Sequence, residues 1–333
     1  MQFQVPIQIK PLDIPVTYKD NIMLTGSCFT EHIGNYLQEV KFHVLQNPNG
    51  ILFEPLGVCN SLVSYIEQKR YTEADLFYLN EAWHSWQHHS RFSAVTKEAA
   101  LRQINQSQEA ANAFLKKADW LIITLGSSFV YKLVDGTPLA TQGNGYNVVN
   151  CHKAPAQTFN KHLSTIEEIV TAFDSTIHRL FHFNPSLKIM FTISPVRHIR
   201  DGVQENNRSK ARLIEAVHHL VNKFSRLYYF PAYELVIDVL RDYRFYDIDM
   251  AHPNYAATQF VLEKFTESCM HQDTARLSAD IRKLVIAKNH KPFNPASVQH
   301  KQFLQSQLEK TMLLATQYPY LDFTDELAYF AKG

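Results

Sequence analysis

An α/β protein built on a parallel sheet is predicted by three observations. Short apolar runs have the length of strands buried on both faces, segments of helical periodicity alternate with them, and the principal runs end at Gly or Ser-Pro. The chain of 333 residues has room for one large domain with an appendage, or for about two domains. Its 45% apolar and 20% charged residues fit a globular protein. A net charge of +1 argues against a nucleic-acid surface, which needs a clustered basic excess.

The first strand is expected at Asn21-Ile22-Met23-Leu24-Thr25, ended by Gly26. Ile33, Tyr36, Leu37 and Val40 then recur at helical spacing, so the unit reads strand, tight turn, helix. Residues 41–46 suit a second strand, Asn47-Pro48-Asn49-Gly50 is a turn by composition, and a helix over about 56–69 comes next. Residues 71–93 are rich in aromatics and His without one period, which predicts an insertion of irregular or hairpin character. A polar helix over 97–117 leads to Trp120-Leu121-Ile122-Ile123-Thr124-Leu125, a strand buried on both faces and ended by Gly126.

Gly, Asn and Pro residues across 129–156 predict hairpins and loops. Leu163, Ile166, Ile169, Val170, Phe173, Ile177 and Leu180 mark an amphipathic helix. A strand over 187–193 stops at Ser194-Pro195, a helix is expected over 209–224, and 227–230 makes a last short strand. From Tyr255 onward the pattern is helical, with Pro253 as a candidate first residue of the helix there. Residues 1–264 are therefore read as the α/β domain and 265–333 as a helical extension packed on it.

The N-terminus lacks a basic start followed by an apolar stretch, and no segment reaches about 18 apolar residues. Cys28, Cys59, Cys151 and Cys269 are scattered and lack C-x-x-C spacing, as expected of free thiols in a reducing compartment. The expectation is a cytoplasmic chain with neither membrane nor nucleic-acid partners.

In open parallel sheets ligands bind at the carboxyl ends of the strands. Three segments share that address: Gly26-Ser27-Cys28, Gly126-Ser127-Ser128, and Asp249-Met250-Ala251-His252. Any such turn alone is as well explained by geometry as by chemistry. Asp249 and His252 add information, because a carboxylate three residues before a His can hold one ring nitrogen and leave the other for a nucleophile. The competing reading is that Asp249 caps the next helix.

The order of strand, small-residue turn, later strand with a second Gly-Ser turn, and a late D-x-x-H resembles the SGNH or GDSL hydrolase superfamily. GSCFT and the helix after it resemble the GSCFA family. The resemblance extends through NPNGILFEP, ITLGSSF, NCHK, SPVRHIRDG and DMAHPN. It implies a three-layer α/β/α flavodoxin-like fold and ester hydrolysis by a nucleophile, a His and an Asp. In that register Gly26 matches the Gly of G-D-S-L and Cys28 falls on the nucleophilic Ser; an offset of one makes Ser27 the nucleophile instead. A thiolate suits a helix N-terminus, whose amides lower a thiol pKa.

The implied oxyanion donors are the amide at the nucleophile, that of Gly50, and Ser128 in the Gly126 turn, where the superfamily has an Asn with a longer side chain. Asn49 beside Gly50, together with Arg197 and Arg200 after the 187–193 strand, are candidates for substrate binding.

His84 and His88 stand four apart and Cys151-His152 could add ligands, but without a carboxylate the cluster reads as ring packing rather than a metal site. No P-loop or dinucleotide glycine fingerprint occurs, so no cofactor is expected. The function expected is cleavage of a carboxylic ester, with an O-acyl group on a small molecule or carbohydrate as substrate. The rivals are a non-catalytic binding or scaffold protein on the same fold, and an acyltransferase.

Overall fold

The computed structural model describes residues 5–135, 139 and 145–332. Five strands form the central sheet: β1 (Asn21–Gly26), β2 (His43–Gln46), β5 (Trp120–Leu125), β9 (Lys188–Ile193) and β10 (Leu227–Phe230). Their order across the sheet is β10-β9-β5-β1-β2 and every pair is parallel. This is the flavodoxin-like order, with the first strand inside the second and the chain then stepping outward in the other direction.

Alternation along each strand sorts the side chains into two cores. Ile22, Leu24, Trp120, Ile122 and Met190 face α1 (Cys28–Glu39) and α7 (Tyr255–Cys269). Met23, Leu121, Ile123, Ile189 and Phe191 face α2 (Pro55–Ile66), α3 (Lys97–Leu115), α4 (Ile166–Phe183) and α5 (Val203–Lys223). Successive strand residues point to opposite faces, so an all-apolar strand can feed two helical layers. The three-layer α/β/α architecture expected from the sequence is the one observed.

The region before β5 holds a hairpin of β3 (Phe77–Leu79) and β4 (Ala82–His84). After β5, β6 (Phe129–Leu133), β7 (Asn147–Val148) and β8 (Phe159–Leu163) form a separate antiparallel sheet in the order β7-β6-β8. Leu163, expected on the helix, closes β8 opposite Phe129, and α4 starts only after the Thr165 capping box. Part of this segment, residues 136–138 and 140–144, lies outside the described residues.

Two further helix starts differ from expectation. α5 begins at Val203 rather than 209, immediately after Gly202 turns the chain with φ of 82°. α7 begins at Tyr255 rather than Pro253, because the Asn254 side chain caps the amide of Ala257.

After β10 comes a short helical stretch, α6 (Ala232–Glu234), which runs into a π-helical turn, Leu235–Leu240. α7 crosses the 264/265 boundary and buries Phe265 in the first core. The remaining helices, α8 (Gln272–Asn289), α9 (Val298–Gln317) and α10 (Thr324–Phe330), add Ile281, Leu284, Leu304 and Phe330 to that same core. Lys41, after α1, closes the contact with a 2.8 Å ion pair to Glu326 of α10. Among the described residues no helix is long and apolar enough to cross a membrane.

Candidate active site

The turn after β1 is held on three sides. The Gly26 amide donates to Asn47 Oδ1 at 2.9 Å, the Ser27 amide to the Thr124 carbonyl at 3.0 Å, and the Leu52 amide to the Gly26 carbonyl at 2.9 Å. Gly26 sits at φ 144°, and a β-carbon there would lie 2.2 Å from the Thr124 oxygen, so no other residue fits. Ser27 is the N-cap of α1 but its hydroxyl makes no capping bond, and its buried Oγ has no hydrogen-bond partner.

Cys28 opens α1 and is partly exposed. Burial pushes its thiol up from the ordinary value, while the amides of Phe29 and Cys28 pull it back by favouring the thiolate.

The turn after β5 is occupied differently. The amides of Gly126 and Ser127 both donate to the Phe53 carbonyl. Ser128 donates its amide to Ser209 Oγ at 2.7 Å and its hydroxyl to the Ser209 carbonyl at 3.1 Å, while the Ser127 and Ser209 hydroxyls lie 3.1 Å apart. Gly50 and Asn49 sit on the turn after β2. The Gly50 amide donates to the Asn47 carbonyl at 2.8 Å, and a β-carbon on Gly50 would strike His89. Asn49 is buried, with Oδ1 unpaired.

The late loop brings together the pair that the spacing suggested. Asp249 Oδ1 accepts from the amides of Ala251 and His252, and Asp249 Oδ2 accepts from His252 Nδ1 at 2.6 Å. A carboxylate can only accept, so Nδ1 carries the proton and Nε2 remains as the basic nitrogen. The His252 amide, its ring and the Ala251 amide hold the Asp249 carboxyl at about 2. Asp249 therefore stabilises the imidazole loop rather than capping the helix, where Asn254 does that work.

Arg197 fastens this loop to the sheet. Its amide donates to the Ala251 carbonyl at 3.0 Å, its guanidinium donates to the Met250 carbonyl at 3.3 Å, and it stacks 4.0 Å over Tyr246. Arg200 stands exposed on a short turn, Ile199–Asp201.

Three residues not singled out by sequence reasoning belong to this neighbourhood. Lys210 is fully buried, and its ammonium donates to the carbonyls of Gly126 and Ser194, both at 2.6 Å. Burial lowers its pKa to about 7, opposed by the nearby Cys28 thiol.

His198 lies on the same patch. A β-carbon placed on Gly126 would be 3.3 Å from His198 Nε2 and 3.3 Å from Ser27 Cβ. Burial first, then the Lys210 cation, lower that imidazole to about 4, so it is neutral at pH 7. Asn47 is the third: with Oδ1 on Gly26, its Nδ2 is buried without a partner. One signal was available for Lys210. The apolar stripe Leu213, Val217 and Leu220 of α5, traced back by three or four positions, lands on Ser209, Lys210 and Asn206.

His252 lines the same surface as His32, which lies one helical turn beyond Cys28 on α1. Among the described residues no hydrogen bond links His252 to Ser27 or Cys28. The turns after β1 and β5 lie where the strand order reverses, the position at which open α/β sheets bind ligands.

A GSCFA family model matches residues 21–265, which takes in every element of the central sheet. The chain belongs to the GSCFA family. A second model, that of the C-terminal domain of a GSCFA domain protein, matches residues 281–333. A search of curated proteins found no match. The GSCFA string itself corresponds here to Gly26-Ser27-Cys28-Phe29-Thr30, the turn built above. The His-rich insertion of this GSCFA chain packs ring on ring, with Phe77 stacked 3.6 Å from Trp86 and His84 4.6 Å from His152.

Proposed function

We propose that the protein hydrolyses a carboxylic ester by a nucleophile-His-Asp mechanism of the kind found in SGNH hydrolases. The observation that carries this reading is the 2.6 Å bond from His252 Nδ1 to Asp249, which leaves Nε2 free on the same sheet end as the Gly26-Ser27-Cys28 turn. Cys28 is the nucleophile in this reading, because it is partly exposed at a helix N-terminus whereas Ser27 Oγ is shut away.

His252 Nε2 takes the thiol proton, and Cys28 Sγ attacks the acyl carbon to form a tetrahedral oxyanion. The Cys28 amide, at the helix N-terminus, is the candidate donor to that oxyanion. The intermediate collapses to a thioester as the protonated His252 gives its proton to the departing alkoxide. Water, deprotonated by His252, then attacks the thioester, releases the carboxylic acid and restores the thiol. Asp249 orients the ring and balances its charge when protonated.

A second reading, a binding protein on the same fold, is favoured by the closed Ser128 hydroxyl and the engaged Gly50 amide. The two separate on one measurement. The wild-type protein is expected to cleave p-nitrophenyl acetate, with turnover lost in His252→Ala and in Cys28→Ala while the melting temperature holds, since His252 is about half exposed. Equal turnover in His252→Ala, or none in the wild type, excludes the esterase.

A further inference from the structure

His252 also forms one end of an open groove of about 660 Å³, within the size range of small-molecule sites. α1 supplies one wall through Asn35 and Tyr36, α7 the floor through Tyr255 and Gln259, and α8 of the C-terminal extension the opposite wall through Arg282 and Asn289. The extension thus lines the same groove as the histidine that the proposed mechanism uses.

The chemistry of the walls narrows the occupant. Tyr255 is 74% exposed and Ile286, also in the groove, is 60% exposed, so apolar faces stand open beside polar edges. The Arg282 guanidinium is engaged by Gln259 Oε1 and lies 5.2 Å over the Tyr36 ring. The carboxylates of Glu39 and Asp247 line the same groove. An anion would meet those two carboxylates with the groove's arginine already engaged, and an acyl chain would face the exposed polar side chains of Asn35, Asp247 and Asn289, which offer it no apolar surface. A sugar ring presents apolar C–H faces to aromatic side chains and hydroxyls to planar amides, which matches this lining.

We propose that the groove between α1, α7 and α8 binds the carbohydrate portion of an O-acylated substrate, with helix α8 of the C-terminal extension serving as one of its walls. This assignment of a substrate rests on the esterase reading, but sugar binding is measurable without turnover. Cellobiose, xylobiose and N,N′-diacetylchitobiose would be titrated calorimetrically into the full chain, with octanoate as the acyl-chain probe.

At least one disaccharide is expected to bind saturably, and Tyr255→Ala to weaken it about tenfold with no change in melting temperature. Tyr320→Ala, exposed elsewhere, leaves binding as it was. No disaccharide bound, octanoate bound in their place, or undiminished affinity in both Tyr255→Ala and Asn289→Ala overturns the proposal. A disaccharide bound by a protein that cleaves no ester removes the esterase reading and leaves the groove a sugar site.

Discussion

The turns after β1 and β5 begin with the same two residues, Gly-Ser, at the ends of neighbouring strands, yet they do opposite things. After β1 the chain enters a helix, so the amides at Cys28 and Phe29 face the thiol and Ser27 Oγ has no partner. After β5 the chain enters strand β6, and the hydroxyls of Ser127 and Ser128 are taken up by Ser209 of α5. The same Gly-Ser start thus yields one turn that leaves a partly exposed thiol at a helix N-terminus and one whose hydroxyls are bonded to a neighbouring helix. The difference lies in whether a helix or a strand leaves the turn and in which residues pack across it.

Glycine substitution breaks the comparison most sharply. Gly26→Ala must hold a β-carbon 2.2 Å from a backbone oxygen at φ 144°, and is expected to cost more than about 3 kcal/mol. Gly126→Ala meets contacts of 3.0 to 3.3 Å and is expected to cost about 1 kcal/mol. Denaturant unfolding of the two variants measures both, and equal losses would show that the turns are equally constrained.

Lys210, below both turns, gives a pH signature. Its folded pKa is lowered to about 7 from 10.5, so between those values the unfolded chain binds more protons and stability rises with pH. Relative to Lys210→Met, the wild type is expected to gain about 1 kcal/mol per pH unit across that window. A difference that stays flat from pH 7 to pH 10 would mean that the folded protein keeps the Lys210 proton across that range, so that burial does not lower its pKa.

The serines divide along the same line, with Ser27 giving the smallest effect of all. Ser209→Ala removes the partner of the Ser128 amide and of the Ser127 hydroxyl while leaving the Ser128 hydroxyl on the Ser209 carbonyl, at an expected cost of about 2 kcal/mol. Ser27→Ala removes a hydroxyl without a partner and is expected to stay within about 0.5 kcal/mol. Thermal melts of the two side by side test whether the second turn is the structural one.

Much of the fold and part of the site are legible in the sequence. Trp120-Leu121-Ile122-Ile123-Thr124-Leu125 reads as a doubly buried strand because six nonpolar or small residues in a row leave no face for water, and all six are buried. The Asp249 and His252 pair is legible because three residues of separation within one turn suffice to join a carboxylate to an imidazole. His198 and Lys210 are not. A histidine in a loop or a lysine on a helix reads as solvated until another part of the chain covers it, and burial is set by residues far away in sequence. The start of α5 is misplaced for a related reason, since its first turns carry polar residues that face the strand ends rather than an apolar core.

The sequence by itself determined the layers, because periodicity and turn chemistry are local properties of a few consecutive residues. It also marked the three turns at the strand ends. Tertiary structure alone decided which turn kept a reachable side chain, which lysine lost its water and which wall the last helices built. Those outcomes depend on sheet order and on contacts such as Ser128 with Ser209 and Lys41 with Glu326, which join positions 81 and 285 residues apart.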